Sequence, residues 1–299
     1  MSILRGSITP LVTPFKDGAV DVEGLERLVE FQISGGSHGI GITGTTGEPT
    51  SLTMEERELV ITAAVRAARG RVPVLAGTGS VNFLETVQLT RFAREAGAAA
   101  ALVIVPYYCR PTQAGLYEHF RQVARAVPGY PIMLYNIPGR SAVNLEPVTM
   151  ARLRRDCPNI FGVKEANPDF AQISRVFHAC GRDFAVYSGI ETLCFPMLAL
   201  GGSGHVSATG NLLPKEVADL YNLCAEERWN EARDLHYWLL EINEVLFLET
   251  NPGPLKAALG MMGLISPEIR LPMAAIGAAT EDRLRTVMTK YGLLPGTTS

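Results

Sequence analysis

Lysine is scarce in this chain of 299 residues: five lysines stand against twenty-two arginines. A lysine placed inside an apolar run therefore needs a reason. Net charge of one sign is also lacking. A formal charge of −3 and a pI near 6.0 give no electrostatic footprint for nucleic acid or an acidic membrane. No apolar run approaches the ~18 residues of a membrane span. The longest, "AGAAAALVIVPYY" (96–108), is interrupted by Pro106. The start, "MSILRGSITPLVTPF", has no signal-peptide core or cleavage site, so a cytoplasmic location is expected. The five cysteines (Cys109, Cys157, Cys180, Cys194 and Cys224) form no CxxC and no zinc-type cluster with histidine. Their odd number and wide spacing fit reduced thiols. Phosphate loops are missing as well. "GITGTTGEP" lacks both the P-loop lysine and the GxGxxG order.

What is present is an alternation. Hydrophobic residues make up 47% and charged residues 19%, enough for a large core. Short runs rich in β-branched residues predict strands at 8–14, 39–44, 72–77, 101–108, 131–138, 160–166, 184–189 and 204–210. Between them lie helical patterns such as "MEERELVITAAVRAARG" (54–70) and "FLETVQLTRFAREAG" (83–97). Continuous apolar strands alternating with helices indicate a covered parallel sheet. Eight units in series predict an α/β fold, a (βα)8 TIM barrel. An open doubly wound sheet is the alternative, but it usually carries a glycine-rich turn after its first strand. From about 213 onward the pattern is helical only. The expected division is a catalytic barrel over 1–225 and a C-terminal helical region over 226–299, with a frayed "PGTTS" tail.

In such barrels the chemistry sits at the C-terminal ends of the strands. The polar residues there are Thr45, Thr46 and Glu48, Tyr107 and Tyr108, Tyr135, Asn136 and Arg140, Lys164 and Glu165, Ser188, and, within the eighth strand, Ser207 and Thr209. "FGVKEAN" (161–167) holds Lys164 mid-strand. Alternation puts Gly162, Lys164 and Ala166 on one face and Phe161, Val163 and Glu165 on the other. One reading is a lysine paired with a buried carboxylate. The other is a nucleophile whose neutral amine attacks a ketone to form a Schiff base. Arginine would serve an ion pair as well but cannot form an imine, which favours chemistry. Tyr135, near the end of the preceding strand, is placed to carry protons. The "GTTGE" turn offers N–H groups and hydroxyls suited to a carboxylate. Arg140 suits a second carboxylate.

These pieces, "GTTGEPTSLTMEER" (44–57), "PYYCRPTQAGLYEHF" (106–120), "YNIPGR" (135–140), "GVKEA" (162–166) and "GGSGHVSATGN" (201–211), resemble the dihydrodipicolinate synthase / N-acetylneuraminate lyase family of Schiff-base pyruvate aldolases. The resemblance spans residues 5 to 293 and favours the synthase branch. It implies that Lys164 forms the imine with pyruvate and that Tyr135 moves protons there. It implies a relay in which Thr45 links Tyr135 to Tyr108, with Tyr108 supplied by a neighbouring subunit. Thr46 would hold the pyruvate carboxylate, Arg140 the carboxylate of aspartate semialdehyde, and Val206 and Gly189 would line the site. A homotetramer built as two dimers is implied, with no metal or organic cofactor and no nucleic-acid or membrane partner.

One departure concerns feedback by lysine. Regulated synthases carry asparagine directly after "GTGS" or "GTGA"; here Val81 follows "GTGS" and Asn82 comes one place later. Met54 and Arg57 stand where some regulated members have histidine. Weak or no lysine inhibition is expected. Two other functions share parts of the pattern: a 2-keto-3-deoxy sugar-acid aldolase or dehydratase using the same imine, and a non-catalytic binding barrel. Arg140 argues against the first, because it suits a short charged aldehyde better than a polyol. Lys164, Tyr135, Thr45 and Tyr108 occurring together argue against the second.

Overall fold

The computed structural model describes residues 4–295; residues 296–299, most of the expected frayed tail, lie outside it. Ten strands occur among the described residues: β1 (Gly6–Pro10), β2 (Phe15–Lys16), β3 (Ala19–Val20), β4 (Gly39–Ile42), β5 (Val74–Gly77), β6 (Ala100–Ile104), β7 (Ile132–Asn136), β8 (Ile160–Glu165), β9 (Ala185–Ser188) and β10 (Gly204–Val206). Eight close a parallel barrel in the order β1-β4-β5-β6-β7-β8-β9-β10, with β10 returning to β1. The fold class is the one expected: a (βα)8 barrel with additional C-terminal helices. β2 and β3 form a separate antiparallel pair that strand periodicity did not foresee, each being two residues long.

Several strands end earlier than the apolar runs suggest. Pro106 and Pro138 follow two residues after the ends of β6 and β7, where proline has no N–H to give, whereas Pro10 is itself the last residue of β1 and Leu11 N–H still donates to the Gly41 carbonyl at 2.8 Å. The eighth run is cut hardest. β10 ends at Val206, and Ala208–Asn211 is a 3₁₀ turn. Ser207 and Thr209 are thus not in a strand, and Thr209 Oγ1 donates to Asn243 Oδ1 at 2.7 Å in a buried contact.

Helix boundaries follow local chemistry. In Met54–Ala68, Thr53 and Glu56 form a capping box, each side chain accepting from the other's backbone N–H. In Phe83–Glu95, Asn82 is the N-cap and accepts from Leu84 N–H at 2.9 Å. The apolar core has three parts. Ile8, Leu75, Leu102, Met133, Tyr187 and Val206 fill the barrel. Two larger clusters lie between strands and helices. One of them joins Leu25, Ile40 and Val60 of the barrel to Leu239, Ile242, Leu259 and Leu284 of the C-terminal helices.

Strand β8 departs from simple alternation. Its pairing with β7 skips a place between Ile132↔Ile160 and Met133↔Gly162. Phe161, expected on the outer face, consequently packs against the interior cluster. Beyond the irregularity the alternation resumes, with Val163 and Glu165 away from the interior and Lys164 in register with Tyr135 and Tyr187. Gly162 has no room for a side chain: a Cβ there would lie 2.2 Å from the Ala185 carbonyl oxygen.

Candidate active site

Lys164 is 5% exposed on β8. Among the described residues it forms no ion pair, so the paired-carboxylate reading is not the one realised. Its amine lies 4.4 Å from the centre of the Tyr135 ring, on the adjacent strand β7. Room for the lysine arm comes from small neighbours. A Cβ at Gly189 would approach Lys164 Cε to 2.9 Å, so glycine there is a condition for the lysine's position. The Tyr135 hydroxyl and Thr45 Oγ1 are 3.2 Å apart. Lys164, Tyr135 and Thr45 therefore form a continuous set across β8, β7 and the turn after β4.

That turn is a 3₁₀ segment, Thr45–Gly47, flanked by Thr43 and Glu48 with positive φ of 50° and 54°. Such conformations are disfavoured for side-chain-bearing residues and persist only where surroundings impose them. Here Thr43 Oγ1 donates to the Gly77 carbonyl at 2.9 Å, and Glu48 is ion-paired with Lys256. The bonds closing the turn use the N–H groups of Gly47 and Glu48. The N–H groups of Thr45 and Thr46 open it and are not spent on it, as at any helix start. Thr46 is buried, and its Oγ1 accepts from Asn251 Nδ2 at 3.1 Å.

A cavity of ≈ 220 Å³ opens over Tyr135 and Thr45, with Arg57, Tyr107, Arg140, Asn251 and Met273 among its walls. Arg140 lies on the short helix Pro138–Ser141 after β7 and donates to the Asn251 carbonyl at 3.1 Å. Lys164, Thr46, Gly189 and Val206 are not part of this lining; Tyr135 connects the lysine to the open space. Val206 is the last residue of β10 and is buried in the barrel interior. Tyr108 is not brought to the site within this chain. It stands 92% exposed with φ of 68°, and its neighbour Tyr107 lines the cavity instead.

Glu165 points away from the lysine, into a buried polar cluster. It accepts from Asn136 Nδ2 (2.8 Å), Asn167 N–H (3.0 Å) and Gln172 Nε2 (3.3 Å). Desolvation pushes its pKa up to about 7, against these donors. Asn136 and Gln172 also bond Asn144, which ties the loop after Arg140 to the ends of β7 and β8.

Sequence reasoning missed Asn251, Lys256 and Arg270. All three lie in the C-terminal region and reach back over the barrel mouth. Arg270 holds Glu56 with two hydrogen bonds of 2.7 Å and donates to Ser51 O at 3.0 Å. A signal existed in "ETNPGPLK" (249–256), where a dense turn places a polar residue and a lysine within an apolar helical stretch.

The Dihydrodipicolinate synthetase family model matches residues 3–291. The chain belongs to that family. It is 51% identical over 293 residues to a 4-hydroxy-tetrahydrodipicolinate synthase of Thermus thermophilus, covering 98% of each chain. The crystal structure of dihydrodipicolinate synthase from Aquifex aeolicus superposes with a TM-score of 0.96 at 46% identity, over 98% of this chain and 100% of that one. The chloride-inhibited dihydrodipicolinate synthase of Acinetobacter baumannii, complexed with pyruvate, superposes at 0.94 with 39% identity, over 97% of this chain and 100% of that one.

Proposed function

We propose that the chain is a Schiff-base aldolase that condenses pyruvate with L-aspartate 4-semialdehyde to give 4-hydroxy-tetrahydrodipicolinate. The observation that carries this is a buried lysine without a carboxylate partner among the described residues, set against Tyr135, whose hydroxyl meets Thr45. The curated relatives' names and the pyruvate complex of the Acinetobacter protein support the same reading. The Lys164 amine attacks the pyruvate ketone, and the carbinolamine loses water to give the imine. Tyr135 delivers and recovers the protons of these steps, with Thr45 holding its hydroxyl. Loss of a methyl proton gives the enamine, whose carbon attacks the aldehyde. The aldehyde's amino group then displaces the lysine nitrogen, closing the ring and freeing Lys164.

Thr46 and the N–H groups that open the turn receive the pyruvate carboxylate, and Arg140 receives that of the aldehyde. Val206 and Gly189 shape the floor. The imine supplies the electron sink, so the reaction as written uses no metal or organic cofactor. Tyr108 joins the relay from a second copy in a tetramer of two dimers, which accounts for its exposure in one chain. Residues 226–295 act as an appendage that completes the site. The enzyme works in the cytoplasm. Among the described residues no helix is long and apolar enough to cross a membrane.

A coupled assay with pyruvate and L-aspartate 4-semialdehyde tests the reading. Turnover is expected; no turnover, with activity on a 2-keto-3-deoxy sugar acid instead, overturns it. Lysine at millimolar concentration is expected to leave more than half the activity. Arg57 Nη2 donates to the Gly77 and Gly79 carbonyls (2.9 and 3.2 Å), and Asn82 is spent as a helix cap.

A further inference from the structure

Asn251 is 6% exposed, yet it belongs to the wall of the cavity over Tyr135. Three of its polar atoms face different demands. Nδ2 donates to Thr46 Oγ1, and the backbone oxygen accepts from Arg140, both at 3.1 Å. The third, Oδ1, is buried and has no partner among the described residues. Buried acceptors without donors are rare and costly, and at a cavity wall they point to a donor brought by a ligand.

The substrate class fixes what that donor is. Given the function proposed above, on which this inference rests, the second substrate carries a carboxylate and an ammonium on one carbon. If Arg140 takes the carboxylate, the ammonium lies one carbon away, and its acceptor must neighbour Arg140. Asn251 does so by direct hydrogen bond. Glu48 is the one carboxylate in the wall, and it is already ion-paired with Lys256. We propose that Asn251 is a specificity residue: Oδ1 accepts a hydrogen bond from the α-ammonium of the aldehyde while Arg140 grips the carboxylate on the same carbon. An amide suits this task better than a carboxylate. Aspartate in its place would compete with the substrate for the Arg140 guanidinium.

The test uses the full-length enzyme and its Asn251→Ala variant at saturating pyruvate. L-aspartate 4-semialdehyde is measured as substrate. Succinate semialdehyde, the same aldehyde without the amine, is measured as competitor. The alanine variant should raise KM for the aminated aldehyde about tenfold or more, as expected for a lost bond to a charged group. The inhibition constant of the amine-free aldehyde should change less than about threefold, since it never used that bond. Asn251→Asp should weaken both, through Arg140. Equal losses for the two aldehydes in Asn251→Ala would make Asn251 a brace for Thr46 only and overturn the proposal. So would loss of borohydride-trapped pyruvate on Lys164 in that variant. A wild-type enzyme that traps pyruvate but ignores L-aspartate 4-semialdehyde overturns the functional reading itself, a result distinct from an unchanged selectivity ratio.

Discussion

Two lysines are buried at the mouth of this barrel, and they do opposite things. Lys256 is 1% exposed. It is ion-paired with Glu48, donates to the Glu268 carbonyl at 2.8 Å and sits 3.9 Å from the centre of the Phe15 ring. Desolvation lowers its pKa, with Glu48 pulling the other way. Lys164 is as deeply placed, at 5%, but forms no ion pair among the described residues: its amine lies over the Tyr135 ring, and the buried Glu191 carboxylate feels its charge without pairing with it. Burial is therefore not what separates a nucleophile from a structural cation. The separation is made by the partner: an ion-paired carboxylate anchors the Lys256 amine, whereas Lys164, with no ion pair among the described residues, keeps its amine available to a ketone.

The contrast breaks most sharply at Lys164. Lys164→Ala should lower kcat by on the order of 10⁵ or more, the scale of losing a covalent nucleophile. Circular dichroism and Tm should stay near wild type, because no ion pair is disrupted. Tyr135→Phe should slow turnover by ~10²–10⁴, the usual contribution of a positioned acid–base group. An unchanged rate by steady-state kinetics would remove the hydroxyl from proton transfer.

Lys256→Met is expected to do the reverse of Lys164→Ala. It strands Glu48 in the interior, at a cost of about 3–5 kcal/mol in denaturant unfolding. Lys256→Met combined with Glu48→Gln should recover much of that loss; no recovery would mean that the pair is not what holds Lys256. The smallest effect concerns Glu165, beside the nucleophile in sequence but behind it in space. Its folded pKa of about 7 lies above the ordinary carboxylate value. Protonation thus favours the folded state, and this contribution to stability declines as pH rises from about 4.5 to 7. Glu165→Gln should remove that part of the slope of Tm against pH. An identical slope in the variant would contradict the burial account of Glu165.

Much of this was legible in one sequence. Eight apolar runs with helical spacers specify the barrel, because each strand is covered on both faces. Lys164 and Tyr135 stood out as polar residues at strand ends, and the chain's preference for arginine drew attention to the lysine. Lys256 shows that this chain also uses lysine for a buried ion pair, so lysine in place of arginine does not by itself mark a nucleophile. The bulge that turned Phe161 inward was hidden, since a skipped place in pairing depends on the partner strand and not on the strand's own pattern. Asn251, Lys256 and Arg270 were hidden for a related reason. They reach the site from more than 80 residues beyond the lysine, and only the packing of the C-terminal helices shows where they arrive.

The central claim is that Lys164, and not the equally buried Lys256, carries the chemistry. Borohydride reduction in the presence of pyruvate, followed by peptide mass spectrometry, tests it directly. The account predicts one reduced pyruvate adduct per chain, on the peptide containing Lys164, and none in Lys164→Ala. An adduct on Lys256, or no adduct on any lysine of an active preparation, would contradict it.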